Sequence, residues 1–260
     1  MNKWVRFEHN GNIHFGKMDD KQITHYQGDM FNENDASGRS FALDEVTLLA
    51  PCTPTKIIAL WNNFYALAEK QGNEIPQAPY YFIKPSSCVV GIGAAIIPPA
   101  SYQGRIFYEG ELGIVIGKKC KEIDVSQAED YIFGYTCVND VTAMQLIHEK
   151  EAFAQWSRAK SFDTFGAIGP CISTLSNADA LTVRTLVNGR ERQNYPIKDM
   201  IFSPAQLVSL LSADMTLEPG DVIACGTSLG AMPMKVNSKI EVIIDGIGVL
   251  ENIYSPEVSL

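Results

Sequence analysis

The chain has 260 residues, 46% of them hydrophobic, enough to bury a sizeable core in one large domain or in a large domain with a small one. Its formal net charge is −9 and its sequence pI about 5.0, with no Lys/Arg cluster to offset the acidity, so nucleic acid is excluded as an expected partner. The longest apolar runs are strand-sized and the first residues carry no apolar leader core, so neither a membrane span nor a signal peptide is expected.

Residues 4–15 place β-rich sequence on both sides of Asn10-Gly11, a hairpin signal, and open a small β unit. Residues 31–39 are polar and rich in Gly, Asn and Asp, which predicts a loop. Leu48-Leu49-Ala50-Pro51 reads as the entry to the main domain. Beyond it, residues 56–60 are a short apolar run, 64–71 a helix candidate ending near Gly72, 80–83 a strand, and Lys84-Pro85-Ser86-Ser87 a turn. Residues 126–131 predict a short helix capped by Ser126, with Glu129 three positions on. Residues 142–159 form the longest candidate helix. Hairpins are expected over 182–193, around Asn188-Gly189, and over 241–251, around Asp245-Gly246. Residues 202–212 predict a helix with Pro204 at a tolerated early position. Strand and helix units do not alternate and no GxGxxG occurs, which disfavours a Rossmann fold. Cys52, Cys88, Cys120, Cys137, Cys171 and Cys225 are scattered without a CxxC pair, so buried free thiols in a reducing cytoplasm are expected.

The chemistry concentrates in carboxylates. Glu109 and Glu111 open an otherwise apolar run, Tyr108-Glu109-Gly110-Glu111-Leu112-Gly113-Ile114-Val115-Ile116-Gly117. A strand turns residues i and i+2 to one face, so both side chains project together from a strand end. Like charges that close require a cation or a proton. Asp140 ends a similar run, Ile132-Phe133-Gly134-Tyr135-Thr136-Cys137-Val138-Asn139-Asp140. Three carboxylates at strand ends suit Mg²⁺, Mn²⁺ or Ca²⁺ better than Zn²⁺.

Four segments in register resemble the fumarylacetoacetate hydrolase family over roughly residues 55–255. They are Tyr108-Glu109-Gly110-Glu111, the stretch from Gly134 through Asn139-Asp140 to Ala143, Lys160-Ser161-Phe162-Asp163, and the stretch from Leu217 to Gly226-Thr227. The resemblance implies a mixed-β (α+β) roll, with residues 53–260 as the catalytic domain and residues 1–52 as a small N-terminal β unit, in a cytoplasmic homodimer. It implies Mg²⁺ or Mn²⁺ held by Glu109, Glu111 and Asp140. Lys160 would stabilise an enolate or move a proton, and Asp163 is a second catalytic candidate. Gly226 and Thr227 would hold a substrate carboxylate. Lys84 is read as either a structural ion pair or an anion contact, and Tyr65 and Glu69, one helical turn apart, as lining the mouth of the site.

Two departures set this chain apart. Met144 follows Ala143 where many relatives carry Arg. Leu67 and Lys70 fall on the positions of the lid His–Glu pair that activates water in C–C bond-cleaving relatives, with Glu69 one residue out of register. His148 sits in a charged stretch expected to be solvated, with approach to the metal from a flexible loop in place of the missing dyad as the alternative, and His9, His14 and His25 are expected at the surface. The expected activity is a metal-dependent isomerisation, tautomerisation or decarboxylation of a small 2-oxo or 2-hydroxy-dienoic acid through a metal-bound enolate. The alternatives are a C–C bond hydrolase of acylpyruvates or β-diketo acids, and a relative that binds metal and ligand without turnover.

Overall fold

The computed structural model describes residues 1–256. Its frame is a twelve-stranded mixed sheet. From one edge to the other its main path runs Asn34–Ala42, Gln22–Gly28, Asn12–Asp19, Lys3–His9, Gly166–Ser173, Ile132–Asp140, Gly110–Ile116, Val222–Ala224, Lys56–Trp61 and Tyr80–Pro85. A five-stranded sheet is built on the two expected hairpins, and a three-stranded one joins Thr142–Ala143, Ile106–Tyr108 and Met232–Pro233. The helices are few and short: α1 (Tyr65–Gln71), α2 (Met144–Ile147), α3 (Trp156–Lys160) and α4 (Pro204–Asp214). None is long and apolar enough to cross a membrane among the described residues.

The strand Gly110–Ile116 is buried along its whole length, which is why it reads as a continuous apolar run rather than an alternating one. Its residues divide by parity. Leu112, Ile114 and Ile116 join the core shared with Val183, Val242 and Leu250 of the five-stranded sheet. Val115 joins a second core on the other face with Val138, Val222 and Ile57. At Gly113 the neighbouring strand comes too close for a side chain: a Cβ there would lie 2.7 Å from Val138 Cγ2 and 2.9 Å from Thr136 Cγ2.

The turn chemistry acts as the sequence suggests at Asn10-Gly11 and Asn188-Gly189, where both residues of each pair take positive φ. Ser203 caps α4 reciprocally with Gln206, and Pro204 occupies the first turn. All six cysteines are free and buried.

Four local expectations are corrected. Residues 34–39, expected in a loop, lie in the edge strand Asn34–Ala42, because an outer strand needs only backbone pairing and tolerates polar side chains on both faces. Asp124, not Ser126, caps the 3₁₀ segment Val125–Tyr131, its carboxylate accepting from the Ser126 N–H at 2.9 Å. The long helix over 142–159 is broken. Thr142 and Ala143 pair as strand with Phe107 and Ile106, and the exposed stretch His148–Glu151 is held in turns by Arg158–Glu149. His25 is buried, its ring edge-on to His14 and its Nδ1 2.6 Å from Ser37 Oγ.

Replacing Gly113 with valine forces branched carbons against Val138 and Thr136 inside a close-packed sheet. The Gly113→Val protein is expected to lose about 1–3 kcal/mol of stability in denaturant unfolding, and an unchanged midpoint would contradict this packing.

Candidate metal centre

Antiparallel pairing of Gly110–Ile116 with Ile132–Asp140 sets Gly110 opposite Asn139 and Glu111 opposite Val138. The start of one strand therefore meets the end of the other. The chain pauses between Ile106–Tyr108 and Gly110–Ile116, and Glu109 occupies that break. There the Asp140 N–H donates to the Glu109 carbonyl at 2.9 Å, and the Glu109 N–H donates to Asn139 Oδ1 at 3.1 Å. Carboxylate oxygens of Glu109, Glu111 and Asp140 all lie within 4.8 Å of one another, an arrangement able to hold a metal ion.

Two lysines reach this cluster, each on a different oxygen of Asp140. Lys160, at the end of α3, donates to Glu109 Oε2 at 2.8 Å and Asp140 Oδ2 at 2.5 Å. Lys84, within Tyr80–Pro85, donates to Asp140 Oδ1 at 2.5 Å and to the carbonyls of Lys160 and Phe165 at 2.6 and 3.1 Å. Thr142 donates to Glu109 Oε1 at 2.6 Å. The Gly226 N–H donates to Glu111 Oε2 at 2.9 Å, whereas Glu111 Oε1 is buried with no hydrogen-bond partner among the described residues.

The electrostatics follow from this packing. Burial, then the nearby Asp140, push Glu111 well above the ordinary carboxylate range, against the pull of Lys160. Burial alone would also raise Asp140, but Lys160 and Lys84 outweigh it and hold this carboxyl below its ordinary value. Burial works against the Lys160 ammonium, yet Asp140, Glu109 and Glu111 outweigh it and keep the group protonated. Three carboxylates face two ammonium groups, leaving one negative charge uncompensated when all are ionised. The unpartnered Glu111 oxygen and the all-oxygen donor set both fit a hard divalent cation.

The cluster forms the floor of a cavity of about 540 Å³. Glu109 and Lys160 line it, while Glu111 and Asp140 lie beneath, fully buried. Its walls are mainly apolar, with Trp61, Phe82, Phe107, Met144, Ile147 and Trp156 among them. Thr227 also lines it, its hydroxyl accepting from Gln193 Nε2 at 2.8 Å and donating to the Gly110 carbonyl at 3.0 Å.

Several expected site residues are placed differently. Lys84 is a structural ion pair: fully buried, it has three acceptors for its three N–H donors and does not line the cavity. The Gly226 N–H is turned to Glu111 rather than to a ligand. A glycine suits this position, since its φ is +89° and the Leu60 carbonyl lies 3.3 Å from where a Cβ would be. Asp163 is exposed on the turn closed by Phe165 N–H to Phe162 O, away from the cavity, because the paired rings of Phe162 and Phe165 anchor the turn. Tyr65 and Glu69 are exposed and off the cavity; α1 instead presents Leu67, Lys70 and Gln71, the i, i+3, i+4 face.

Four contributors escaped the sequence reading. Thr142 and Asn139 orient Glu109. Gln193 donates to Thr227 and accepts from the Gly110 N–H at 3.0 Å. Its phase with Tyr195 in a polar strand is a signal that it faces inward. Ser228 is buried, lines the cavity, and its hydroxyl has no partner among the described residues.

Comparison with known proteins gives the family and the fold. A family model described as fumarylacetoacetate (FAA) hydrolase C-terminal matches residues 56–253, and one described as Rv2993c-like, N-terminal matches residues 2–51. A protein of Archaeoglobus fulgidus is 43% identical over 215 residues, covering 83% of this chain and 84% of its own. Oxaloacetate tautomerase YisK of Bacillus subtilis is 38% identical over 226 residues, covering 82% of this chain and 74% of its own. The crystal structure of 2-hydroxyhepta-2,4-diene-1,7-dioate isomerase from Mycobacterium marinum is similar with a TM-score of 0.90 at 33% identity, over 98% of each chain.

Two outcomes follow from the buried charges. Lys84→Met removes one partner of a fully buried pair and is expected to cost about 3 kcal/mol in denaturant unfolding; a loss under about 0.5 kcal/mol would contradict the role. A carboxyl raised by folding contributes stability below its unfolded pKa and loses it as pH rises through its folded pKa. Metal-free protein is therefore expected to weaken from mildly acidic to alkaline pH. Added Mg²⁺ or Mn²⁺ should raise Tm more at pH 8 than at pH 6, and equal gains would contradict the role of Glu111.

Proposed function

The chain belongs to the fumarylacetoacetate hydrolase family, and from that premise we propose that it is a Mg²⁺- or Mn²⁺-dependent enzyme that isomerises, tautomerises or decarboxylates a small 2-oxo or 2-hydroxy-dienoic acid. The observation that carries this reading is a buried three-carboxylate cluster beneath an apolar cavity that no histidine lines among the described residues. Leu67, on the wall at the lid position, brings no group able to activate water. An isomerase and an oxaloacetate tautomerase among the similar proteins fit this reading, while others of similar likeness are described as hydrolases.

In this reading Glu109, Glu111 and Asp140 hold the cation. When bound, it supplies Lewis acidity that favours the enolate form of a 2-oxo acid. The protein's own groups do the rest. Lys160, kept protonated at the cavity floor, stabilises negative charge developing on the substrate oxygens, a role its raised pKa suits better than that of a base. Lys84 holds Asp140 from behind, so Lys160 need not neutralise that carboxylate alone.

Thr227 is one wall of the carboxylate subsite, but its proton is already directed to Gly110. A free donor beside it is the Ser228 hydroxyl, which is buried without a partner among the described residues, a cost relieved when a ligand accepts its proton. The apolar walls exclude water from the enolate and strengthen each of these charges.

The test is a panel of oxaloacetate, acylpyruvates and hydroxymuconate-type acids assayed with Mg²⁺ or Mn²⁺. Isomerase, tautomerase or decarboxylase turnover is expected, abolished by chelation. Lys160→Met should lower kcat by about 10²-fold, and Ser228→Ala should chiefly raise KM. Rapid acylpyruvate cleavage with no activity on the other acids would overturn the assignment.

A further inference from the structure

Of the charged residues lining the cavity, Glu109 and Lys160 pair with each other at 2.8 Å. The remaining one is Lys70, on the helix that overhangs the site. Among the described residues Lys70 has no carboxylate within ion-pair distance, although acidic side chains outnumber Lys and Arg by 30 to 21 in this chain. Lys70 is exposed and, among the charged residues that line the cavity, the one without an ion-pair partner among the described residues, so it is free to meet an anion that enters.

The frame that carries Lys70 is fixed. Gly72 closes α1 in the left-handed conformation, its N–H donating to Glu69 O at 3.2 Å. Asn62, itself at a positive φ, donates to the Glu74 carbonyl at 2.9 Å and accepts from Asn73 Nδ2 at 3.2 Å. Asn73 also reaches Gln71 Oε1 at 3.0 Å, tying the end of the helix to the cavity wall. Leu67 packs the same helix onto the main core.

The walls of the cavity are mainly apolar and aromatic, with the Trp156 ring in contact with those of both Trp61 and Phe82. The volume of about 540 Å³ exceeds what a three- or four-carbon acid fills. We infer that Lys70 is a specificity residue that selects substrates bearing a second anionic group, a carboxylate at the end of the carbon chain remote from the 2-oxo acid head. This rests on the keto-acid reading of the site given above. The lid position then works by charge: a lysine placed here recruits the remote end of a diacid instead of activating water.

The experiment compares two unreactive probes of equal chain length by titration calorimetry with Mg²⁺ present: 2-oxoglutarate, with a distal carboxylate, and 2-oxopentanoate, without one. The wild-type protein is expected to bind 2-oxoglutarate about fivefold more tightly, the strength of a partly exposed ion pair. Lys70→Met should bring that ratio to about one while leaving 2-oxopentanoate binding unchanged, Lys70→Arg should retain it, and Lys70→Glu should invert it. Higher salt should shrink the wild-type preference. Binding of both probes with a ratio that Lys70→Met does not alter overturns the role of Lys70 alone. Failure of both probes to bind, or equal binding after chelation, overturns the keto-acid reading and this inference with it.

Discussion

Three carboxylates packed inside a protein dominate everything around them. Oxygens of Glu109, Glu111 and Asp140 share a space under 5 Å across, the limit being 4.8 Å between any two, and the two deepest are shut off from water. Such a cluster persists only with compensating cations or a bound proton. Lys84 and Lys160 bring two positive charges to three carboxylates, and burial, then the nearby Asp140, push the Glu111 carboxyl well above its ordinary range. The fold is arranged to deliver these partners: an edge strand carries Lys84 inward, α3 ends on Lys160, and the interrupted strand at Glu109 aims a carboxylate across the sheet.

The same constraint bears on Lys84, which the sequence leaves open between a structural ion pair and an anion contact. Lys84 is sealed beneath Asp140 with every donor engaged, whereas Lys160 bridges Asp140 and Glu109 at the cavity floor. One lysine maintains the site and the other faces whatever enters it. A comparable division appears at Gly226-Thr227-Ser228. The glycine N–H steadies Glu111, the threonine hydroxyl is tied to Gln193 and Gly110, and the serine hydroxyl has no partner among the described residues.

Much of this was legible beforehand where the signal is local and strong. The apolar runs that start at Glu109 and Glu111 and end at Asp140, the Asn-Gly turns and the Ser203-Pro204 cap all act within a few residues, so propensity and placement agree. What escaped depends on distant partners. Nothing near Lys84 in the chain shows that Asp140, 56 residues on, will claim it. The period of α1 gives a face, but which face meets the cavity is set by packing of Leu67 and Ala68, so Tyr65 and Glu69 were expected on the wrong side. The helix over 142–159 failed because Thr142 and Ala143 found strand partners across the fold, a tertiary contact overriding helical preference.

The central claim is that the Glu109–Glu111–Asp140 cluster is a divalent metal site, and direct metal counting tests it most simply. Titration of metal-free protein with Mn²⁺, followed by electron paramagnetic resonance of the free ion, is predicted to show one tight site per chain that Glu111→Gln removes without unfolding the protein. Equal Mn²⁺ uptake by the wild-type and Glu111→Gln proteins, or no uptake by either, would contradict it.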